Sequence, residues 1–204
     1  MSALPVFDKP MTEAEYLAFE RDSEVKHEFI DGEIYAMSGA SRNHNLIVSS
    51  TIAALYVQLR GKGCETYPSD MKVRTPSTGS YAYPDITVIC GEAQFDENQR
   101  DILLNPTVII EVLSPNTERY DRGKKFQHYR ELESLQEYIL IAQDSPHIER
   151  FVRQESGLWQ LSEARGLQAS LDPPTLKRCQ RSQCSRLDRQ RAAASEEILN
   201  QGCA

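Results

Sequence analysis

Two carboxylates and a lysine occupy positions where chemistry could be done. Asp85 follows a proline in Tyr83-Pro84-Asp85-Ile86-Thr87-Val88, and Glu111 interrupts the apolar run Thr107-Val108-Ile109-Ile110-Glu111-Val112-Leu113. Side chains alternate between the two faces of a strand, so Ile109, Glu111 and Leu113 share one face while Val108, Ile110 and Val112 share the other. Both faces are apolar, which reads as a central, buried strand. An ionised carboxylate there is costly unless it meets a partner or a metal. Asp85 and Glu111 together could hold a hard cation such as Mg²⁺, which takes oxygen ligands. A cation so held lowers the pKa of a bound water and clamps a phosphoryl oxygen. The plain structural alternative is a carboxylate paired with an arginine or a helix N-terminus.

The cation for such a site comes from the next segment. Ser114-Pro115-Asn116-Thr117 ends the strand and opens a helix that runs to about residue 133. At about 100° per residue, Leu132, Lys125, Tyr129 and Phe126 form one stripe, and Lys124 falls opposite with Gln127 and Glu131. Lys125 therefore points inward. Asp121, one turn earlier, lies at the edge of the same stripe and can hold the ammonium. A lysine so placed would neutralise charge that builds on a phosphate or orient the attacking water. The structural alternative is a lysine at the core edge with its head in water and a surface ion pair.

The remaining elements must position these residues. Thr12-Glu13-Ala14-Glu15 is a capping box, and a short helix carrying Tyr16, Leu17 and Phe19 follows. In Glu28-Phe29-Ile30-Asp31-Gly32-Glu33-Ile34-Tyr35 the Asp-Gly pair between apolar runs predicts a hairpin. A helix spans about 41–60, with Leu46, Ile47, Leu55 and Leu59 as its apolar face and Gly61 or Gly63 as its stop. Strands are expected near 64–67, 71–74, 85–90, 107–113, 137–142, 147–152 and 158–161, and residues 76–80 read as a turn. The 204 residues suffice for one compact domain. Domain 1–166 carries this pattern. Residues 167–204 do not: 177–191 hold six basic residues and one acidic one, without helical or strand period. That segment reads as a weakly structured tail, with a phosphate-touching basic arm as the other reading.

Composition excludes several classes. No apolar run reaches the 18 or so residues of a membrane-spanning helix, and no basic-then-apolar leader opens the chain. The five cysteines are odd in number and lack CxxC spacing, which points to reduced thiols, a cytoplasmic setting and no zinc site. The net charge of −7 argues against indiscriminate coating of nucleic acid but leaves room for a local basic groove. There is no glycine-rich phosphate loop, and no Ser or Cys has a triad context. His27, His128 and His147 have no metal-binding spacing.

Six ordered segments resemble the Uma-two family, restriction-endonuclease-like proteins abundant in cyanobacteria and placed in the PD-(D/E)XK nuclease superfamily. They are Glu28 to Ile34, Ser41-Arg42-Asn43-His44, Tyr83-Pro84-Asp85-Ile86, Glu111 to Thr117, Asp121-Arg122-Gly123-Lys124-Lys125 and Glu137-Tyr138-Ile139-Leu140. Each segment alone is common. Their order and spacing over about residues 10–160 are specific. The resemblance implies an α/β (α+β) fold, a restriction-endonuclease-like mixed central sheet flanked by helices, with the site at one edge of the central strands. It implies Asp85 and Glu111 as metal-binding acids and catalytic residues. The superfamily often carries its lysine two residues after the glutamate, where this chain has Leu113. The resemblance therefore places it on the following helix as Lys125. Glu28 resembles an additional acidic residue, or else is a half-exposed hairpin glutamate. His44 matches a family position, or else makes a structural hydrogen bond at its helix start. After about residue 166 the chain departs from the apolar ending usual in the family, as a shifted reading frame would make it do.

The leading expectation is a Mg²⁺- or Mn²⁺-dependent endonuclease that hydrolyses phosphodiester bonds of DNA. Asp85, Glu111 and the Val112 carbonyl would hold the metal, Lys125 would stabilise the transition state, and Glu28, Asp121 and His44 would support them. A homodimer is expected because enzymes that cut both strands often pair their sites across a two-fold axis. The alternative is a catalytically silent protein of the same fold that binds nucleic acid or a protein partner.

Overall fold

The computed structural model describes residues 9–166. The expected tail, 167–204, lies outside the described residues. Two sheets and their flanking helices make up the described part. Helix α1 (Glu13–Asp22) starts at Thr12, whose side chain and Glu15 form the reciprocal capping box expected from the sequence. Strands β1 (His27–Ile30) and β2 (Glu33–Ala36) make the predicted hairpin. Its two turn residues, Asp31 and Gly32, have φ of 53° and 84°. This left-handed pair gives the turn a twist that matches the strands.

Sheet one is completed by β4 (Lys72–Thr75), β5 (Ser80–Ala82) and β7 (Ile102–Leu103), in the order β2-β1-β5-β4-β7. Sheet two holds β3 (Cys64–Pro68), β6 (Ile86–Cys90), β8 (Val108–Leu113), β9 (Glu137–Ala142), β10 (His147–Arg153) and β11 (Trp159–Arg165), in the order β11-β10-β9-β8-β6-β3. β8 lies inside the sheet, antiparallel to β6 and parallel to β9, and all six of its residues are buried. The apolar character of both its faces thus corresponds to a core on each side. Ile109 and Leu113 pack with Val73 and Ala82 of sheet one and with Phe126, Tyr129, Leu132, Tyr138 and Leu140. Val108 and Ile110 pack with Leu55 and Leu59 of α2 (Arg42–Leu59) and with Ile86 and Val88. A third cluster, Tyr16, Phe29, Ile34, Tyr81 and Ile102, fixes α1 to sheet one.

Several local expectations change. The helix after β8 is shorter than its apolar stripe suggested: α3 (Glu118–Tyr120), a π-helical turn (Asp121–Lys125) and α4 (Phe126–Tyr129) run on from one another. Of the four apolar residues assigned to the inner face of α2, Leu55 and Leu59 are buried, but Leu46 is half exposed because it falls on the opposite side. β5 and β7 are two strands that the sequence reading did not separate from loops. Cys64 and Cys90, expected to be reduced thiols, form a disulfide. They lie opposite each other in the β3–β6 ladder. A count and a spacing motif do not register that proximity, because it is created by strand pairing.

Ile109 is fully buried between the two sheets, so Ile109→Ala should lower unfolding free energy by about 2–5 kcal/mol. Urea denaturation measures this. Leu158→Ala, at a residue 72% exposed, should change it by less than about 0.5 kcal/mol.

Candidate active site

Asp85 and Glu111 meet where the ladder between β6 and β8 ends. The last backbone pair is Ile86 with Ile110. The next pair in register would set Asp85 against Glu111, and there side chains replace the ladder. Asp85 N–H donates to Glu111 Oε2 (3.1 Å), and Val112 N–H donates to Asp85 Oδ2 (2.8 Å). Pro84 has no N–H to continue the pairing. The two carboxylates are thus fixed by each other's backbone in the opening between two central strands.

Lys125 fills the centre of the site. Its Nζ lies 2.8 Å from Glu111 Oε1, 3.0 Å from Glu28 Oε1 and 3.8 Å from Asp121 Oδ1. All four side chains are at most 5% exposed. Each acid comes from a different element: Glu28 from β1, Glu111 from β8 and Asp121 from the π-helical turn. Tyrosines supply the remaining bonds. Tyr129 OH donates to Glu111 Oε1 (3.2 Å), Tyr120 OH donates to Glu28 Oε2 (3.3 Å), and Tyr83 N–H donates to Glu28 Oε1 (3.1 Å). Tyr138 OH holds the Asp121 carbonyl at 3.0 Å, tying the π-helical turn to β9.

Residues expected to support the site adjoin it. Glu28 is fully buried, which removes its half-exposed alternative. His44, in the first turn of α2, places Nε2 3.0 Å from Asp85 Oδ2. Ser41 caps that helix by accepting from His44 N–H, and its own hydroxyl donates to Gln143 Oε1 at the end of β9. Lys124 points away and pairs with Asp31 at 2.9 Å with its side chain 41% exposed. Sequence reasoning missed Tyr120, Tyr83 and Gln143. Of these, Tyr120 carried a signal, since it immediately precedes Asp121. Tyr129 stood on the Lys125 stripe, one helical turn on, without a bonding role.

A cleft of about 580 Å³ opens on these groups, lined by Glu28, His44, Asp85, Glu111, Asp121 and Lys125 among others. With Glu24 and Lys26 at its edge, the lining sets five carboxylates against two lysines and one histidine. Burial pushes the Glu111 carboxyl well above the usual carboxylate range; Lys125 pulls it down, and Asp85 and Asp121 push it further up. Asp121 is also raised, first by burial. Burial alone would lower the Lys125 ammonium, but Glu111 and Glu28 outweigh it and hold the lysine well above its ordinary value. His44 is raised chiefly by its hydrogen bond to Asp85. The donor set is hard oxygen with an excess of buried negative charge, which fits Mg²⁺ or Mn²⁺.

A second cluster combines His147, Glu149 and Glu163 on β10 and β11, away from this cleft. Spacing could not foresee Glu163, which reaches His147 across the strand ladder. Both carboxylates are already taken by cations: Arg122 pairs with Glu149 and Arg165 with Glu163. The cluster reads as an ion-pair network.

Residues 13–184 match the model of the Uma2 family, described as putative restriction endonuclease. Two Synechocystis proteins are similar: the uncharacterized protein slr1290, 38% identical over 71% of this chain and 75% of its own length, and the uncharacterized protein sll1609, 37% identical over 80% of this chain and 93% of its own. The crystal structure of a putative nuclease belonging to DUF820 from Anabaena variabilis shares the fold, with a TM-score of 0.68, 20% identity, and coverage of 82% of this chain and 91% of that one.

A raised carboxyl keeps its proton in the fold at pH values where the unfolded chain has lost it. Stability should therefore fall as pH rises from the ordinary carboxylate range through the raised values of Glu111 and Asp121. Thermal melts in chelator should show this decline, and Glu111→Gln should flatten it. The Lys125 contribution persists below the ordinary lysine value and disappears only as pH rises through its raised value.

Proposed function

Because this chain belongs to the Uma2 putative restriction endonuclease family, we propose that it is a metal-dependent endonuclease hydrolysing phosphodiester bonds of DNA at the cleft of Asp85, Glu111 and Lys125. The observation that carries this reading is a buried excess of carboxylates with a single lysine inside it, open to a cleft. Burying unbalanced charge is costly, and a cation in the cleft would offset it. Asp85 and Glu111 hold the metal, and the Val112 carbonyl assists. Val112 N–H already faces Asp85, and a residue's N–H and C=O leave a strand on the same edge. When bound, Mg²⁺ or Mn²⁺ supplies Lewis acidity to a phosphoryl oxygen and makes a coordinated water more acidic.

The other steps belong to the chain itself. Glu111 and Glu28 keep Lys125 protonated, so it acts as a fixed cation and hydrogen-bond donor rather than as a base. It orients the attacking water and offsets the negative charge that builds on the phosphate. The water oxygen forms a bond to phosphorus as its proton passes to solvent, and the bond from phosphorus to the leaving sugar oxygen breaks, that oxygen taking a proton from solvent. His44 orients Asp85, and Asp121 and Glu28 fix Lys125. The N-terminus of α2 opens on the cleft through Ser41, His44 and Asn45, a place where helix geometry favours a phosphate.

A plasmid-nicking assay with Mg²⁺ or Mn²⁺, run beside calorimetric titration of the metal, tests the proposal. Wild type should bind the cation and nick. Glu111→Gln should bind it far more weakly and not nick. Lys125→Met should slow nicking by about a hundredfold or more, the usual scale for one lost transition-state contact. Lys124→Ala should cost little beyond a salt-dependent contact. Metal binding without nicking on any nucleic acid would favour the silent binding protein, and a wild-type rate in Glu111→Gln would overturn the site.

A further inference from the structure

A helix on the surface of a domain normally turns a charged face to water. α2 does not. Between Arg42 and Arg60 it has no Asp, Glu, Lys or Arg. Its inward stripe, Val48, Ile52, Leu55 and Leu59, packs on the face of sheet two. Leu46, Ser50, Ala53 and Val57 repeat the same spacing two residues earlier, about 200° around the helix, and so lie on the opposite side. All four are exposed, Leu46 to 50% and Val57 to 75%. The outward side of a surface helix is ordinarily charged or polar, yet this one exposes Leu46, Ala53 and Val57 with no charge among them.

We propose that the outward stripe of α2 is an isologous interface at which two copies of this chain pair their α2 helices antiparallel. The stripe is its own complement. Turned about a two-fold axis between Thr51 and Ile52, it sets Leu46 against the partner's Val57, Ser49 against the partner's Ala54, and Ser50 against the partner's Ala53. Small residues at the centre let the backbones approach, and the large pair at each end fills the outer layer. Such self-matching is what a two-fold contact requires. The Ser49 hydroxyl already donates to the Asn45 carbonyl at 2.8 Å, so covering it strands no donor. The stripe itself is uncharged, as interface cores are, so a chain of net charge −7 meets its copy there without like-charge contact except at the two ends, where Arg42 comes near the partner's Arg60 and the partner's Lys62. One helix pair lies at the small end of stable interfaces, so the dimer should dissociate on dilution.

The pairing also bears on the cleft, a consequence that rests on the nuclease reading. The same register carries the partner's Arg60 and the partner's Lys62 towards Arg42, at the N-terminal end of α2 where Ser41, His44 and Asn45 line the cleft. Each cleft would gain cations at its rim from the other copy, beside Lys26 of its own lining, where a phosphate backbone needs them.

Sedimentation velocity of the full chain over a range of concentrations tests the interface without any cleavage assay, so its outcome is separate from that of the nuclease reading. Wild type should sediment as a dimer that dissociates on dilution. Val57→Glu and Ala53→Arg should each give monomer with an unchanged melting temperature. Leu46→Lys combined with Val57→Glu should restore the dimer, because the two new charges face each other across the axis. Leu158→Glu, at an equally exposed leucine elsewhere, should leave the dimer intact. A wild type that is monomeric throughout, or a dimer that survives both Val57→Glu and Ala53→Arg, overturns the proposal. A double variant that stays monomeric overturns the antiparallel register.

Discussion

The ammonium of Lys125, buried among Glu28, Glu111 and Asp121, is the interaction on which the rest of this structure depends. It joins the first hairpin, the central strand and the π-helical turn at one atom. A buried pair that loses one partner leaves an uncompensated charge, at a penalty of about 3–5 kcal/mol. Three acids around one base multiply that constraint. The hydroxyls of Tyr120 and Tyr129, and the Tyr83 N–H, exist in this arrangement because the remaining carboxylate lone pairs need donors.

Buried ionic clusters of this kind are often no more stable than apolar residues of similar volume, which pack without desolvation penalty. The fold instead keeps an excess of negative charge beside a cleft, and holds Glu111 and Lys125 with pKa values displaced upward for opposite reasons: Glu111 because burial resists its ionisation, Lys125 because its neighbours reward it. Groups displaced by burial and a specific charge partner, sitting in a cleft, make this a functional-site candidate. The π-helical turn at Asp121–Lys125 belongs to the same picture, since such turns are rare and gather at working positions.

Around the cluster the architecture is conventional. Two sheets share a core of Val73, Ala82, Ile109, Leu113 and the aromatic residues Phe126, Tyr129 and Tyr138, and α2 covers the other face of the larger sheet. Both sheets are mixed, with one parallel pair each: β4 with β7, and β8 with β9. The parallel pair β8–β9 is what returns the chain through the Lys125 helix, because parallel neighbours need a crossover connection. That connection sets the lysine over the face of β8 that carries Glu111.

The sequence by itself determined the central strand and its acid, because an apolar run with a carboxylate in it has few folded solutions. It also determined the inward side of the Lys125 helix, the capping box at Thr12 and the Asp31-Gly32 turn, each a local consequence of backbone geometry. Only the tertiary structure decided what depends on strand register. Asp85 lies opposite Glu111 because β6 and β8 pair antiparallel and stop at Ile86 and Ile110. Cys64 meets Cys90 because β3 and β6 align them. Glu28 is buried because the first hairpin packs under Tyr83 and Tyr120. Distances across strands are fixed by pairing between segments far apart in the chain, and spacing along it does not encode them.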